Sequence, residues 1–441
     1  MDKNKKIQDY NRYYFLLRRY VDFLFKSTYR RVEYHGIEKI PKDGAIIYAP
    51  NHTNTLMDAL AILAIDRQEK VFVARADVFK NPTILKLLTF LKMLPINRKR
   101  DGMESLAKNE EINHIVVDVL RDKVPFCILP EGTHRPMHSL LPLQKGLFRI
   151  ALQANDTFGD KMPLYIVPVG ITYGHFFRYR SSLLVQIGEP INVTQFVKEH
   201  PELSIPQQIN SLRNTLTDRL KKVILYIPDD ANYNAILALA QLYGNEQHQR
   251  LGLTKNSIFN RFTSAQETIQ SVTSFIKSKT EETQKILDMA NGFSCERHAR
   301  HIGIESVFKP HIRWSLIGKV FLLLLGFPCF ILSSVVTSPI TILSIWLCSK
   351  FKDTAFHNTV RYLTALVLLP VLLLLEGVTL FILFHWIWGV IFILLFIPSL
   401  FFLHEYVRLI RRFISDIKWI IHRDLYRQFK KIKIYQTRLT I

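Results

Sequence analysis

The chain is poor in acidic residues and in cysteine. Asp and Glu number 37 against 58 Lys and Arg, a formal net charge of +21. An excess of that size suits acidic partners: nucleic acid, anionic lipid or phosphorylated substrates. The sequence lacks a zinc finger, a helix-turn-helix signature and an arginine-rich tail, so nucleic acid is excluded and anionic lipid is favoured. The four cysteines, Cys127, Cys295, Cys329 and Cys348, are scattered without a CxxC pair, which leaves neither a disulfide framework nor a zinc site. His134 and His138 stand four apart, but Pro136 lies between them and the Glu of HExxH is missing, so no metal is expected. The first fifteen residues lack the apolar core and cleavage site of a signal peptide, and the soluble part is expected in the cytosol. Internal repeats and low-complexity tracts are absent.

Charge is also missing locally. Val320–Ser349 holds no Asp, Glu, Lys or Arg, and Tyr362–Leu403 holds only Glu376. A membrane span needs about 20 apolar residues, so these blocks predict membrane-embedded helical hairpins. Tyr362–Leu403 accommodates two spans with a reversal near His385–Gly389. Val320–Ser349, interrupted by Pro328 and Pro339, is expected to form a kinked re-entrant or interfacial hairpin. Both flanks are basic, so the positive-inside rule puts both chain ends in the cytosol, with an even number of crossings. Glu376 reads as a bundle contact or interfacial group as readily as a lipid or proton site.

Ahead of these blocks, residues 7–31 carry apolar groups at helical spacing with interleaved arginines. They predict a basic amphipathic helix, lying on lipid or on its own domain. From residue 32 to 228, β-rich runs (Ala45–Ala49, Val71–Ala74, Pro125–Leu129, Leu164–Ile171 and Leu183–Ile187) alternate with helical patterns, notably Met103–Arg121 and Ser211–Ile224. The alternation predicts an α/β layered domain with a mostly buried sheet flanked by helices. The expected organisation is an N-terminal helix (1–31), an α/β domain (32–228), a helical connector (229–312), membrane-embedded helices (313–406) and a basic tail (407–441).

Four stretches of the α/β region carry chemistry. In the first, Asn51 and His52 follow a strand, and Asp58 comes six positions after His52. A carboxylate there can fix the imidazole tautomer and stabilise the imidazolium formed when His52 accepts a proton; a capping Asp beside a structural His is the bland alternative. In the second, a strand runs into Leu129-Pro130-Glu131-Gly132-Thr133, where Gly lets backbone approach a ligand and its neighbours offer donors to phosphate. Lys145 follows and can bring an ammonium near. The third, Leu94–Arg100, sets Arg98 after an apolar run. The fourth, Val167-Pro168-Val169, is a strand whose internal Pro predicts an edge or bulge position. Cys127 lies mid-strand and reads as a buried small apolar residue.

Together and in this order, the four stretches resemble the glycerol-3-phosphate and 1-acylglycerol-3-phosphate (lysophosphatidate) acyltransferase family. Asn51, His52 and Asp58 match its first motif, with five residues between His and Asp where four is usual. A branch acting on glycerol 3-phosphate, best known from fungi, is similar in that longer gap and in the Pro228–Tyr233 run. Leu129–Thr133 match the third motif with Leu in place of Phe. Arg98 matches the second, although Gly is absent before Pro95, and Val167–Val169 match the fourth.

The resemblance implies acyl transfer from a thioester, acyl-CoA or acyl carrier protein, to a hydroxyl of glycerol phosphate or lysophosphatidate, with no cofactor. In that scheme His52 is the base and Asp58 orients it. Arg98, Glu131, Gly132, Thr133 and Lys145 form the phosphate-acceptor site, Glu131 holding Arg98 or Lys145 or contacting a glycerol hydroxyl. The host would be a bacterial inner membrane or the endoplasmic reticulum. Acyl exchange on another lysophospholipid and a non-catalytic lipid-surface scaffold remain as alternatives.

Overall fold

The computed structural model describes residues 6–97, 103–253, 257–277, 281–309 and 312–438. They divide into two compact units: residues up to Ile224 together with Asp353–Tyr362, and Leu225–Lys352 together with Leu363–Ile441. The first unit thus includes ten residues from far along the chain, the last seven of them the opening turns of a membrane-length helix.

The first unit begins with α1 (Arg12–Thr28), capped by Asn11, whose Oδ1 accepts from the Tyr13 and Tyr14 amides. Eight strands form one mixed sheet: β1 (Tyr29–His35), β2 (Ala45–Pro50), β3 (Val71–Arg75), β4 (Met93–Ile96), β5 (Phe126–Cys127), β6 (Leu164–Tyr173), β7 (Ser181–Ile187) and β8 (Ile191–Asn192). Their order is β1-β7-β6-β2-β5-β3-β4, with β8 on β6. Strands β2 to β6 that neighbour one another run parallel, while β7 and β8 pair antiparallel with β6. Helices α2 (Leu56–Leu63), α3 (Pro82–Phe90), α4 (Met103–Arg121), α5 (Gly146–Phe158), α6 (Val193–Glu199) and α7 (Ile205–Val223) connect and flank the strands.

Alternate residues of β2, Ala45, Ile47 and Ala49, join Val116 and Leu120 of α4, Phe148 of α5 and Leu216 of α7 in the main core. The intervening Ile46 and Tyr48 are buried as well, as expected of a parallel strand covered on both faces. Helix α1 lies on its own domain: Arg18 is buried and donates to the carbonyls of Leu63, the last residue of α2, and of Asp66 and Gln68 just after it. Its other side still exposes Tyr13, Leu16 and Phe23.

Pro168 departs from the expected edge or bulge, since β6 is interior to the sheet and pairs with β2 through Ala49. The Pro168 carbonyl accepts from Gly188. In an extended strand, N–H and C=O of one residue point the same way, so the missing N–H faces the turn between β7 and β8, where no ladder bond is needed.

The second unit contains α8 (Tyr233–Arg250), α9 (Ile258–Ile276), α10 (Glu281–Ala299), α11 (Ile304–Val307), α12 (Ile312–Ser349), most of α13 (Phe356–Leu383), α14 (Trp386–Ile421) and α15 (Arg423–Arg438). Helix α15 lies on α10, with the Phe293 and Phe429 rings 6.2 Å apart and Arg300 paired to Asp424. On α14, Tyr406 stacks on Phe330 of α12 at 4.5 Å and donates to the Leu323 carbonyl. Among the described residues, α12, α13 and α14 are long and apolar enough to cross a membrane.

The hairpin expected within 320–349 is corrected by this structure. Residues 312–349 form one helix that contains both Pro328 and Pro339. A proline removes one helical hydrogen bond and its ring crowds one carbonyl, and long apolar helices absorb this without reversing. The other block does reverse, between Leu383 and Trp386.

Candidate active site

Strands β2, β4, β5 and β6 are parallel, so the stretches that follow β2, β4 and β5 all leave one edge of the sheet, where ligands of such folds bind. Asn51 extends β2 beyond its last strand residue: its side-chain oxygen accepts from the Ile171 amide at 2.7 Å, and its Nδ2 donates to the Ile171 carbonyl at 3.1 Å. His52 is therefore launched from a fixed point. Four residues later the chain enters α2, whose first turn carries Asp58, wholly buried.

His52 Nδ1 lies 2.8 Å from Asp58 Oδ2. The same oxygen accepts from the Thr53 amide at 2.8 Å and the Asn54 amide at 2.7 Å, and Oδ1 accepts from the Tyr173 hydroxyl at 2.7 Å. Burial, and then the Asp58 charge, push the Tyr173 phenol well above its ordinary range, so it remains a donor. A carboxylate collecting donors on both oxygens is held as an acceptor. In the neutral imidazole of His52, Nδ1 thus carries the proton and Nε2 the lone pair.

The loop after β5 grips His52 by its backbone. Gly132 has φ +69° and closes a turn from its amide to the Leu129 carbonyl. Glu131, 3% exposed, accepts from the His52 amide through Oε1 at 2.6 Å and from the Leu141 amide through Oε2 at 2.8 Å. The Arg135 amide donates to the His52 carbonyl. Each carboxylate oxygen of Glu131 thus serves a backbone amide, a use that the expected contacts to Arg98, Lys145 or glycerol did not include. Burial raises its carboxyl to about 7, against the pull of those two amides and of His52.

Of the other expected site residues, Gly132 and Thr133 are exposed on this loop. Lys145 is exposed at the N-cap of α5, lining an open groove with Arg149, Asp156 and Gln208. Arg98 lies outside the described residues; Asn97 just before it is fixed by Asn109. Cys127 is fully buried in β5, and burial pushes its thiol up, away from nucleophilic use.

Residues that sequence reasoning did not bring to the site are also present. Tyr173 is one; another is His134, whose ring lies 5.6 Å from that of His52 and 5.2 Å from that of Phe356, while its Nε2 is 3.0 Å from Asp353. The Phe176 carbonyl accepts from both Asn54 and Asn358. Burial holds His138 down at about 4, so it is neutral, lying 5.0 Å from Phe176.

A buried carboxylate fixing a histidine beside a Pro-Glu-Gly turn at one sheet edge thus brings the first and third stretches together. Residues 31–172 match the family model described as Acyltransferase. This stretch is an acyltransferase-family domain. The domain is 27% identical over 144 residues to glycerol-3-phosphate O-acyltransferase 1 of Saccharomyces cerevisiae, covering 32% of this chain and 19% of that protein. Glycerol-3-phosphate O-acyltransferase 2 of the same yeast is 32% identical over 135 residues, 31% of this chain and 18% of that one. The 1-acyl-sn-glycerol-3-phosphate acyltransferase of Cocos nucifera is 30% identical over 150 residues, 34% of this chain and 44% of that protein. The match thus spans about a fifth of the yeast relatives' length. Among solved structures, the 1-acyl-sn-glycerophosphate acyltransferase of Thermotoga maritima is similar at 20% identity and a TM-score of 0.34, covering 48% of this chain and 79% of that one.

Proposed function

We propose that the protein transfers a fatty acyl chain from a thioester to a hydroxyl of glycerol 3-phosphate or 1-acylglycerol 3-phosphate at a membrane surface, its catalytic unit facing the cytosol. The observation that carries the reading is the commitment of His52 Nδ1 to a fully hydrogen-bonded Asp58. Nε2 of His52 takes the proton of the acceptor hydroxyl as its oxygen attacks the thioester carbonyl. The buried Asp58 charge stabilises the imidazolium. Collapse of the tetrahedral intermediate breaks the carbon–sulfur bond, and the departing thiolate takes the proton back from His52. A thiol has a pKa of about 8.5, so it leaves without a strong acid. Arg98, Thr133 and Lys145 are the candidates for the acceptor phosphate, and Glu131 acts by holding His52.

Purified protein given acyl-CoA or acyl carrier protein donors and radiolabelled acceptors should form labelled lysophosphatidate or phosphatidate. His52→Ala should lower turnover roughly 10²–10⁴-fold with folding intact, and Cys127→Ser should leave it unchanged. Full activity in folded His52→Ala, or an acyl thioester trapped on Cys127, would sink the mechanism. Labelled product with other lysophospholipids alone would move the reading to acyl exchange.

A further inference from the structure

Thr55, between the base and its partner, has φ +44° and ψ −123°. A β-branched residue reaches positive φ only under strain, and it persists where its surroundings hold it. Thr55 is the N-cap of α2, yet its hydroxyl does not cap the helix. The hydroxyl instead faces Thr359 Oγ1 at 2.6 Å and the Ala355 carbonyl at 3.3 Å. An N-cap threonine ordinarily accepts from the amides of its own helix, so this one has exchanged a local partner for partners 300 residues away in the chain.

Those partners lie on Asp353–Tyr362, which belongs to the same compact unit and outside the matched stretch 31–172. The segment is built into the unit: Ala355, Asn358 and Tyr362 are buried. Asn358 shares the Phe176 carbonyl with Asn54, and Tyr362 donates to the Val21 carbonyl of α1. Asp353 holds His134, whose ring stands edge-on to His52.

We infer that Asp353–Tyr362 is a positioning element of the acyl-transfer site, Thr359 holding the strained turn between His52 and Asp58 and Asp353 holding His134 beside the base. The inference rests on the function proposed above. Without the Thr359 hydroxyl, Thr55 relaxes toward negative φ, the Thr53 and Asn54 amides move off Asp58, and the imidazole loses its fixed tautomer. Substrate contacts are untouched, so the loss falls on turnover and not on binding.

The test uses the full chain in lipid nanodiscs, with Thr359→Val and Thr359→Ser. Val removes the hydroxyl at nearly equal volume, and Ser keeps it. Thr359→Val is expected to lower kcat about tenfold, equivalent to about 1.4 kcal/mol in the barrier, with KM for donor and acceptor unchanged. Hydrogen exchange at residues 53–58 should rise while Leu164–Val169 stays protected. Thr359→Ser should behave as wild type in both measurements. Equal loss in Val and Ser, a change in KM alone, or unaltered exchange at 53–58 in Thr359→Val would overturn the inference. If the wild type transfers no acyl chain, the proposed function fails, and exchange at 53–58 still decides whether Thr359 holds the turn.

Discussion

Burial and hydrogen bonding pull Glu131 in opposite directions. Ionised, it can accept from both the His52 and Leu141 amides; protonated, one oxygen carries a hydrogen and the grip on His52 loosens. Burial prevails and raises the carboxyl from 4.5 to about 7. A raised carboxyl contributes stability fully below 4.5 and loses it as pH climbs to about 7, a difference on the order of 3 kcal/mol. Stability and turnover should therefore move oppositely over that interval. Wild-type Tm is expected to fall relative to Glu131→Gln as pH rises from 4.5 to 7, while wild-type kcat rises. The Gln variant, with an NH2 facing one of the two amides, should match the wild type at pH 4.5 and fall behind it as pH rises toward 7. A flat Tm difference across the interval would remove the Glu131 charge from this account. His52 and Asp58 were legible as a pair because helix entry fixes their spacing. The role of Glu131 was not, since it binds amides 79 and 10 positions away, and amides carry no residue signature. Tyr173, 115 positions from Asp58, was hidden for the same reason of distance.

At the level of elements, the close seat of α7 on β6 is set by one missing side chain. A Cβ on Gly170 would stand 1.9 Å from the Val223 carbonyl oxygen, backbone against backbone. No rotamer change relieves that, so Gly170→Ala is expected to cost about 3 kcal/mol or more, or to prevent folding. Gly146, at the start of α5, has nothing within 4 Å of its added Cβ, and Gly146→Ala should be neutral or stabilising by up to about 1 kcal/mol. Thermal unfolding of the two variants checks the contrast; equal Tm values would contradict the geometry. The strands β2, β6 and β7 were legible because they are buried along most of both faces and their sequences are apolar in runs, and β3 because its Val-Phe-Val run is apolar. Strand β1 was not. Its first three residues fall within the helical spacing read across 7–31, and most of its side chains are only partly buried at the sheet edge. The continuous α12 was misread because proline breaks helices in water but is only a local defect in a long apolar helix.

For the whole molecule, sidedness follows from membership of one folded unit. Among the described residues up to 309, no helix is long and apolar enough to cross a membrane. The segment at 353–362 folds with the residues before 225, and one folded unit occupies one side of a bilayer. Helix α12 is therefore expected to make no net crossing, for all its length. The 21 residues of α13 from Leu363 to Leu383 suit one span of about 20 residues, and α14 supplies the return. Tags at Met1 and Ile441 should be equally accessible to protease in sealed vesicles; opposite accessibility would make α12 a true span and separate Asp353–Tyr362 from its partners. The basic flanks lead to the expectation of an even number of crossings, whereas the meeting of Thr55 and Thr359, 304 positions apart, could not be read from the sequence. That meeting also sets an order in time. A ribosome adds roughly 5–20 residues per second, so on the order of ten seconds separates emergence of Ile224 from that of Tyr362. Throughout that interval the nascent chain holds the sheet, the base and its carboxylate, but not the segment that completes them. The apolar α12 emerges in between, so a chain is committed to its membrane before its site is whole.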